Sequence, residues 1–473
     1  MSADHPLETR SRRRNRIHEI AEGKIRSWHR SDPSAGKAGV PASGYNTRRG
    51  NYPAALPGSM QPVDRRVPES GERQMIIRAR TVVTMDGPPI ENGAVAFSGD
   101  RIVDVGKFDE IKARNAGEVV DLGEQALLPG LVNAHCHLDY TCLRAKIPPQ
   151  KSFADWIRAI NTEKAKLSAK DYVASINEGF VEVKRFGTTT IANLTGFPEF
   201  VQQIRAPIGT WWFAELIDVR APERASELVD FAIASLKSAQ NWGLAPHALF
   251  TASKDLFRRC DKIARRENVL LTTHLAESRE EMEMFRDASG PLYEFMNSIG
   301  RPMDDCGRGT PLELFLGVPG GRALPEWIVV HLNELADCDF ELLERSKTKF
   351  HVVHSPRSHD YFGHSRFSFE RLRGLGFNVC LGTDSLASNQ SLSLFADMRA
   401  FQKEFPSVSP EEIFQMATVN PARALRQENA LGRIHPGFRA DLIAVPSSQG
   451  GDPFGEVVAF DGEIDWITVG GKL

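Results

Sequence analysis

From Met75 onward, short apolar runs alternate with longer stretches of helical spacing. The first runs have no helices between them. They cover 76–83, Gly93–Phe97 and Arg101–Val105, and the turn Ser98-Gly99-Asp100 splits the last two. Gly then Asp between two apolar runs is a hairpin signal. The end of the chain mirrors them with Ala440–Val445 and Trp466–Val469. The two ends are therefore expected to meet in one small β-sandwich. From about Pro129 to Arg426 the pattern changes. Strands are predicted at Thr189–Asn193, Gly209–Glu215, Leu244–Phe250, Leu270–His274, Trp327–His331, Phe350–His354 and Phe377–Gly382. Helical runs such as Glu223–Gln240 and Lys254–Asn268 separate them. With the strand that ends near His135, that makes eight. Eight strands alternating with helices predict an α/β fold, a (β/α)8 TIM-like barrel with active groups at the strand C-termini. The longest connection, Ser278–Glu326, carries helical runs and is expected to cover the mouth. The expected organisation is a tail over 1–74, a β-sandwich from 75–128 and 427–473, and a barrel over 129–426.

The chemistry sits where the apolar runs stop. The run Leu128-Pro129-Gly130-Leu131-Val132-Asn133-Ala134 delivers His135 and His137, with Cys136 between them. An extended strand points alternate side chains to one face, so two imidazoles there make half a metal site. His274 ends the run Leu270–Thr273, His331 ends Ile328–Val330, and Asp384 follows Val379–Thr383. A buried aspartate must be paired or coordinate a metal, because its desolvation is otherwise costly. One such histidine alone reads as a hydrogen-bonded core residue. His135, His137, His274 and Asp384 together, each closing a predicted strand, read as a metal site.

Composition narrows the function classes. The formal net charge of −3 over 473 residues gives no case for nucleic acid. No apolar run approaches the roughly 18 residues of a membrane span. The N-terminus is arginine-rich without an apolar core segment, unlike a secretory signal. Six scattered cysteines without a Cys-x-x-Cys read as free thiols in a reducing cytoplasm. Residues 1–74 carry 14 Lys/Arg against 8 Asp/Glu, the remainder 44 against 53. The early stretch reads as a disordered basic tail, or an upstream extension of a chain whose regular pattern opens at Met75. Ile17, Ile20, Ala21, Ile25 and Trp28 have the spacing of one short amphipathic helix within it.

These motifs are similar to those of the amidohydrolase superfamily, in the branch of cytosine, guanine and adenosylhomocysteine deaminases and triazine chlorohydrolases. The resemblance rests on 128–137, Leu244-Ala245-Pro246-His247-Ala248 and Thr273-His274-Leu275-Ala276-Glu277. It continues through His354-Ser355-Pro356-Arg357-Ser358-His359 and Leu381-Gly382-Thr383-Asp384-Ser385, then Gly432-Arg433-Ile434, Pro436-Gly437 and Ala440-Asp441-Leu442. It spans Met75–Leu473. It implies that His135, His137, His274 and Asp384 bind one divalent metal. It also implies that Glu277 shuttles protons, that His331 positions the water or the substrate, and that His247 contacts the substrate. Two-metal members use a bridging group, often a modified lysine, on a middle strand. No lysine ends 244–250, and Lys254 falls beyond it, so one ion is expected. Zinc suits three histidines and a carboxylate best, with iron(II) second.

The expected reaction is hydrolytic removal of ammonia from an aminated heterocycle, purine-, pyrimidine- or nucleoside-like. An alternative keeps the site and changes the leaving group to chloride or a ring amide. An alternative of another class is a non-catalytic assembly protein with the same fold, which predicts lost ligands. Many relatives carry Cys-Pro-x-Ser-Asn where this chain has Ser355-Pro356-Arg357-Ser358-His359. His359 is bulkier than Asn and titrates, and Arg357 could pair with a substrate carboxylate or phosphate. Trp156, with Phe153, Trp211, Trp212 and Phe362, is a candidate ring to stack on a heterocycle. His354 is a candidate outer support of the site, and His351, His364 and His435 read as structural or exposed residues, not ligands. The expected partner is a small-molecule substrate, with no nucleic acid and no membrane, and a homo-oligomer stays open.

Overall fold

The computed structural model describes residues 74–318, 327–346 and 349–472. The basic tail and its expected amphipathic helix lie outside them. The elements below belong to one compact unit.

The chain opens with a meander. β1 (Gln74–Val82), β2 (Ile90–Ser98) and β3 (Arg101–Lys107) pair antiparallel in that order. β4 (Glu118–Asp121) and β5 (Gln125–Pro129) then return parallel to β1. β4 has no apolar run because most of it is exposed, which is why the sequence pattern does not announce it.

Eight strands follow, each parallel to the next: β6 (Leu131–Cys136), β7 (Thr188–Thr195), β8 (Gly209–Leu216), β9 (Trp242–Pro246), β10 (Leu270–Leu275), β11 (Trp327–His331), β12 (His351–His354) and β13 (Asn378–Leu381). These are the eight strands expected from the pattern. Nearly every residue in them is buried, as in a parallel sheet with both faces covered. Val132, Ala134, Trp211, Phe213, Val330 and Val353 belong to one cluster built mainly from strand residues, which fills the barrel interior. The last strand meets the first through a parallel bridge between Cys136 and Asp384. There the N–H groups of Thr383 and Asp384 donate to the His135 carbonyl at 3.1 and 3.2 Å. Gly382 permits this approach, since a Cβ on it would lie 2.9 Å from that carbonyl oxygen.

β14 (Leu442–Pro446) pairs antiparallel with β5, and β15 (Trp466–Thr468) with β14. The strand segments that flank the barrel thus meet, as expected. Hydrogen bonds join them in one seven-stranded mixed sheet, ordered β15-β14-β5-β1-β2-β3 with β4 on β1. The continuous apolar run 128–137 is divided between the two sheets at Gly130. Its N–H donates to Asp441 O at 2.8 Å, and a Cβ there would meet Thr189 Oγ1 at 2.2 Å. A residue with no side chain lets the chain pass from one sheet to the other at that point.

The expected helices form with small shifts, at Ala225–Leu236 and Lys254–Glu267, the latter closed by Asn268 in the left-handed region. Within the long connection, helices occupy Arg279–Asp287, Gly290–Ser298 and Pro311–Gly317. The largest strand difference is at β9. It stops at Pro246, because the chain turns at once, with Thr251 N–H donating to Ala248 O. Among the described residues, no helix is long and apolar enough to cross a membrane.

Candidate metal centre and active site

His135 lies in β6 and His137 is the first residue after it. The β6–β7 register slips between Asn133 and Cys136. A bulge of this kind re-aims side chains next to functional sites. Asn133 holds the distortion in place. Its Nδ2 donates to Thr383 Oγ1 at 2.8 Å, and its Oδ1 accepts the N–H groups of His135 and Thr383, each at 3.3 Å. Asn133 therefore ties the first barrel strand to the segment that carries Asp384.

Four residues from three distant parts of the chain converge here. His137 Nε2 lies 3.3 Å from His274 Nε2 and 4.0 Å from Asp384 Oδ1, and His135 Nε2 lies 3.6 Å from the same oxygen. Three overlapping groups have their ligand atoms within 4.8 Å of one another: His135/His274/His331, His135/His137/Asp384 and His137/Glu215/His274. His331 and Asp384 both adopt positive φ, +73° and +54°, a conformation that non-glycine residues rarely take. Such backbone strain collects at functional sites.

Both ring nitrogens of His135 are buried without a hydrogen-bond partner. Leaving polar atoms in that state is costly, and a cation held between these side chains would remove the cost at Nε2. The protonation states suit one. Burial, then the neighbouring imidazoles, pushes His274 down to about 3 and holds His137 well below the usual histidine range. Burial also lowers His331. Burial works against the charge of Asp384, yet His135, His331 and His137 hold its carboxyl well below the usual range. Neutral imidazoles and an ionised carboxylate are the forms that bind a divalent ion. Asp384 is also anchored from behind, where Ser358 and Ser388 hydroxyls donate to Oδ2 at 2.7 and 3.3 Å.

Glu277 follows β10 and is buried. Its Oε1 lies 3.6 Å from His331 Nε2. Burial, then the charges of Asp384 and Glu281, pushes its carboxyl well above the usual range. A carboxyl group raised in this way holds a proton more readily than a free one and can pass it to a bound substrate. Its backbone is fixed on both sides: Asn333 Nδ2 donates to Glu277 O at 3.0 Å, and Glu277 N–H donates to Glu281 Oε2 at 2.8 Å.

His247 is the first residue beyond β9. Its carbonyl accepts from both His274 N–H and His274 Nδ1, at 2.8 and 2.9 Å, and its ring centroid lies 4.7 Å from that of His274. Trp156 belongs to the helix Phe153–Lys164 and packs against Phe153 and Phe362, at centroid distances of 5.9 and 5.0 Å. The ring of His364 stacks on Phe362 at 5.2 Å. Arg357 and His359 take other positions. The Arg357 guanidinium donates to Ser391 Oγ at 2.8 Å and to Gln390 Oε1 at 3.4 Å, which binds it to the loop after Asp384. His359 lies edge-on to His354 at 5.1 Å and to His364 at 5.4 Å. Neither has a hydrogen bond or ion pair with the converging ligands. His354 is a core residue, its ring parallel to that of Phe367 at 4.0 Å. No lysine lies in β9, and Lys254 opens the following helix.

Sequence reasoning missed Glu215. It lies at the end of β8 with its side chain 5% exposed, and its Oε1 is 3.7 Å from His137 Nδ1 and 3.9 Å from His247 Nε2. The signal was available: a carboxylate closes the apolar run Trp211-Trp212-Phe213-Ala214 at a barrel strand's C-terminal end.

A family model described as "Amidohydrolase family" matches residues 126–473, and one described as "Imidazolonepropionase-like composite domain, bacteria" matches 93–117. The 5-methylthioadenosine/S-adenosylhomocysteine deaminase of Pyrococcus furiosus is 28% identical, covering 84% of this chain and 97% of its own length. Its namesake from Syntrophobacter fumaroxidans is 30% identical, covering 80% and 85%. The solved structure of Helicobacter pylori aminofutalosine deaminase superposes with a TM-score of 0.73 at 22% identity, covering 84% of this chain and 99% of that one. At that identity the likeness concerns the fold.

Proposed function

Because this chain belongs to the amidohydrolase family, we propose that it is a metal-dependent aminohydrolase that removes ammonia from the heterocycle of an adenosine-like nucleoside. The observation that carries the reading is the convergence of His135, His137, His274 and Asp384, with neither His135 nitrogen in a hydrogen bond. The retention of all four residues argues against a non-catalytic assembly role. The nucleoside class is supported by the two deaminase relatives, which align over 80% or more of this chain.

We assign one divalent ion to those four side chains, zinc first and iron(II) second on the chemistry of the donor set. When bound, such an ion supplies Lewis acidity, which makes water a competent nucleophile near neutral pH. The protein residues do the rest. Attack at a ring carbon leaves a nitrogen that must be protonated before it departs as ammonia. Glu277, whose carboxyl is raised well above the usual range by burial, delivers a proton to that nitrogen. Such general acid–base assistance accelerates a reaction by roughly 10²–10⁴-fold. His331 is neutral, so it orients water or substrate by a hydrogen bond and adds no charge. His247 contacts the heterocycle from the β9 side. Trp156, backed by Phe153 and Phe362, offers a flat apolar wall for the ring. Arg357 and His359, which have no hydrogen bond or ion pair with the ligand cluster, contact the substrate away from the reacting carbon.

The test is product release from zinc-loaded protein. 5′-Methylthioadenosine, S-adenosylhomocysteine and adenosine are offered beside aminated pyrimidines, guanine and chloro-triazines. Ammonia from a nucleoside is the expected result. Chloride or ring-opened product, with no ammonia, would replace this reading with the alternative leaving group.

A further inference from the structure

Glu215 is buried beside a metal ligand and has no role among the residues assigned above. A carboxylate in that position must have a partner, since isolating its charge from water is costly. Two imidazoles face its Oε1: His137 through Nδ1 at 3.7 Å and His247 through Nε2 at 3.9 Å. The opposite nitrogen of His137 points to the ligand cluster, with Nε2 3.3 Å from His274 Nε2 and 4.0 Å from Asp384 Oδ1.

His274 repeats the arrangement. Its Nε2 faces the cluster, while its Nδ1 lies 2.9 Å from the His247 carbonyl. That oxygen can only accept, so the single proton of neutral His274 sits on Nδ1, and Nε2 carries a lone pair. A proton on His137 Nδ1 would place a second lone pair opposite it at 3.3 Å. Two lone pairs so close repel unless a cation lies between them.

We propose that Glu215 is a positioning residue for the metal centre, its carboxylate facing His137 Nδ1 and so favouring the tautomer that carries the proton there and offers Nε2 to the ion. The inference rests on the metal-site reading above. Outer acceptors of this kind orient a ligand imidazole and raise its basicity. The two ligand histidines are then set by acceptors from adjacent strands, one a backbone carbonyl after β9 and the other a side chain on β8. The carboxylate meets His137 at the nitrogen that does not face Asp384, while Glu215, His137 and His274 also hold ligand atoms within 4.8 Å of one another, so the variants below separate a positioning role from a ligand role.

The experiment measures zinc affinity by competition with a chromogenic chelator, independently of turnover. It compares the full chain with Glu215→Ala, Glu215→Gln and His137→Ala, each checked for folding by circular dichroism. Glu215→Ala should weaken zinc binding by about 10–100-fold. Glu215→Gln keeps an acceptor oxygen and should stay within a few-fold of the unsubstituted chain. Unchanged affinity in Glu215→Ala overturns the proposal. So does loss in both Glu215 variants as complete as in His137→Ala, because Glu215 would then be a ligand itself. An unsubstituted chain that takes up no divalent ion defeats the functional reading first, which separates the two failures.

Discussion

Glu280 Oε1 accepts a 2.6 Å hydrogen bond from the backbone N–H of Phe153, and Oε2 accepts the next N–H, of Ala154, at 3.1 Å. The first N–H groups of a helix have no partner within it. Here a carboxylate from another element supplies one, at the helix end where negative charge is favoured. The helix so held is Phe153–Lys164, which carries Trp156. The residue that holds it stands three positions beyond Glu277. One side chain thus links the segment that handles the proton to the aromatic wall proposed for the base.

Glu280→Ala should therefore act on substrate binding more than on chemistry. Loss of a helix cap costs about 0.5–2 kcal/mol. If that cost appears in the placement of Trp156, KM rises by roughly 2–30-fold while kcat and zinc content change little. Glu280→Gln keeps an acceptor and should recover most of the affinity. Steady-state kinetics on the best nucleoside decides it. A fall in kcat at constant KM would place Glu280 in the chemistry instead.

Glu277→Gln removes the proton and keeps the shape. Metal content, read by elemental analysis, should match that of the unsubstituted chain, because Glu277 is not among the four proposed ligands. Turnover should fall by at least about 10²-fold. Near-normal turnover would remove Glu277 from the mechanism.

Much of this site was legible because barrel strands announce themselves twice. Each is an apolar run, and each functional run ends on a residue that an apolar run has no reason to contain. His135, His274 and His331 were found that way, and Asp384 just past such a run. What escaped depends on contacts across the barrel. Asn133 reads as an ordinary polar interruption until its bonds to Thr383 are seen. Ser358 reads as part of a variable motif, although it anchors Asp384. Glu215 ended a correctly predicted strand but lacks a neighbouring histidine in sequence, and its partners come from β6 and β9. Arg357 and His359 show the reverse limit. Their chemistry was plain, but the direction of a side chain on a short helix after β12 does not follow from periodicity.

Asp384→Ala should abolish stoichiometric metal binding. The residue contributes the sole carboxylate of the proposed ligand set, and His135 Nε2 and His137 Nε2 both face its Oδ1. Ser358→Ala is the milder companion. It removes one of two hydroxyls that donate to Oδ2, and should weaken metal affinity by about 10-fold without abolishing it. Elemental analysis after dialysis settles the first, and chelator competition the second. Full occupancy in Asp384→Ala would end its assignment as a ligand.

Glu281 gives stability a specific pH dependence. Burial pushes its carboxyl from 4.5 up to about 7, against the hydrogen bond it accepts from Glu277 N–H. The folded pKa is raised, so the unfolded chain gives up its proton first as pH rises. The contribution is fully present below pH 4.5, declines from there to about 7, and stays lost above it. The predicted loss is about 3 kcal/mol at most, at 1.36 kcal/mol per pH unit. Glu281→Gln can still accept from Glu277 N–H and has nothing to titrate. Urea unfolding at several pH values should show it flatter than the unsubstituted chain across this window. Parallel curves would mean that Glu281 titrates normally.

Metal removal should be visible in stability as well as in turnover. His135 has two buried nitrogens without a hydrogen bond, and His137 and His274 hold Nε2 atoms 3.3 Å apart, an arrangement that a bound cation would satisfy. A ligand that binds only the folded state stabilises it by mass action, by about 2.7 kcal/mol at 100 times Kd. Zinc titrated into chelator-treated protein should therefore raise Tm progressively. The rise should vanish in Asp384→Ala and persist in Glu277→Gln, since only the first removes a ligand. Magnesium, which favours oxygen donors, should give little shift at the same concentration. An equal rise in Asp384→Ala would mean that zinc stabilises the fold somewhere other than the barrel mouth.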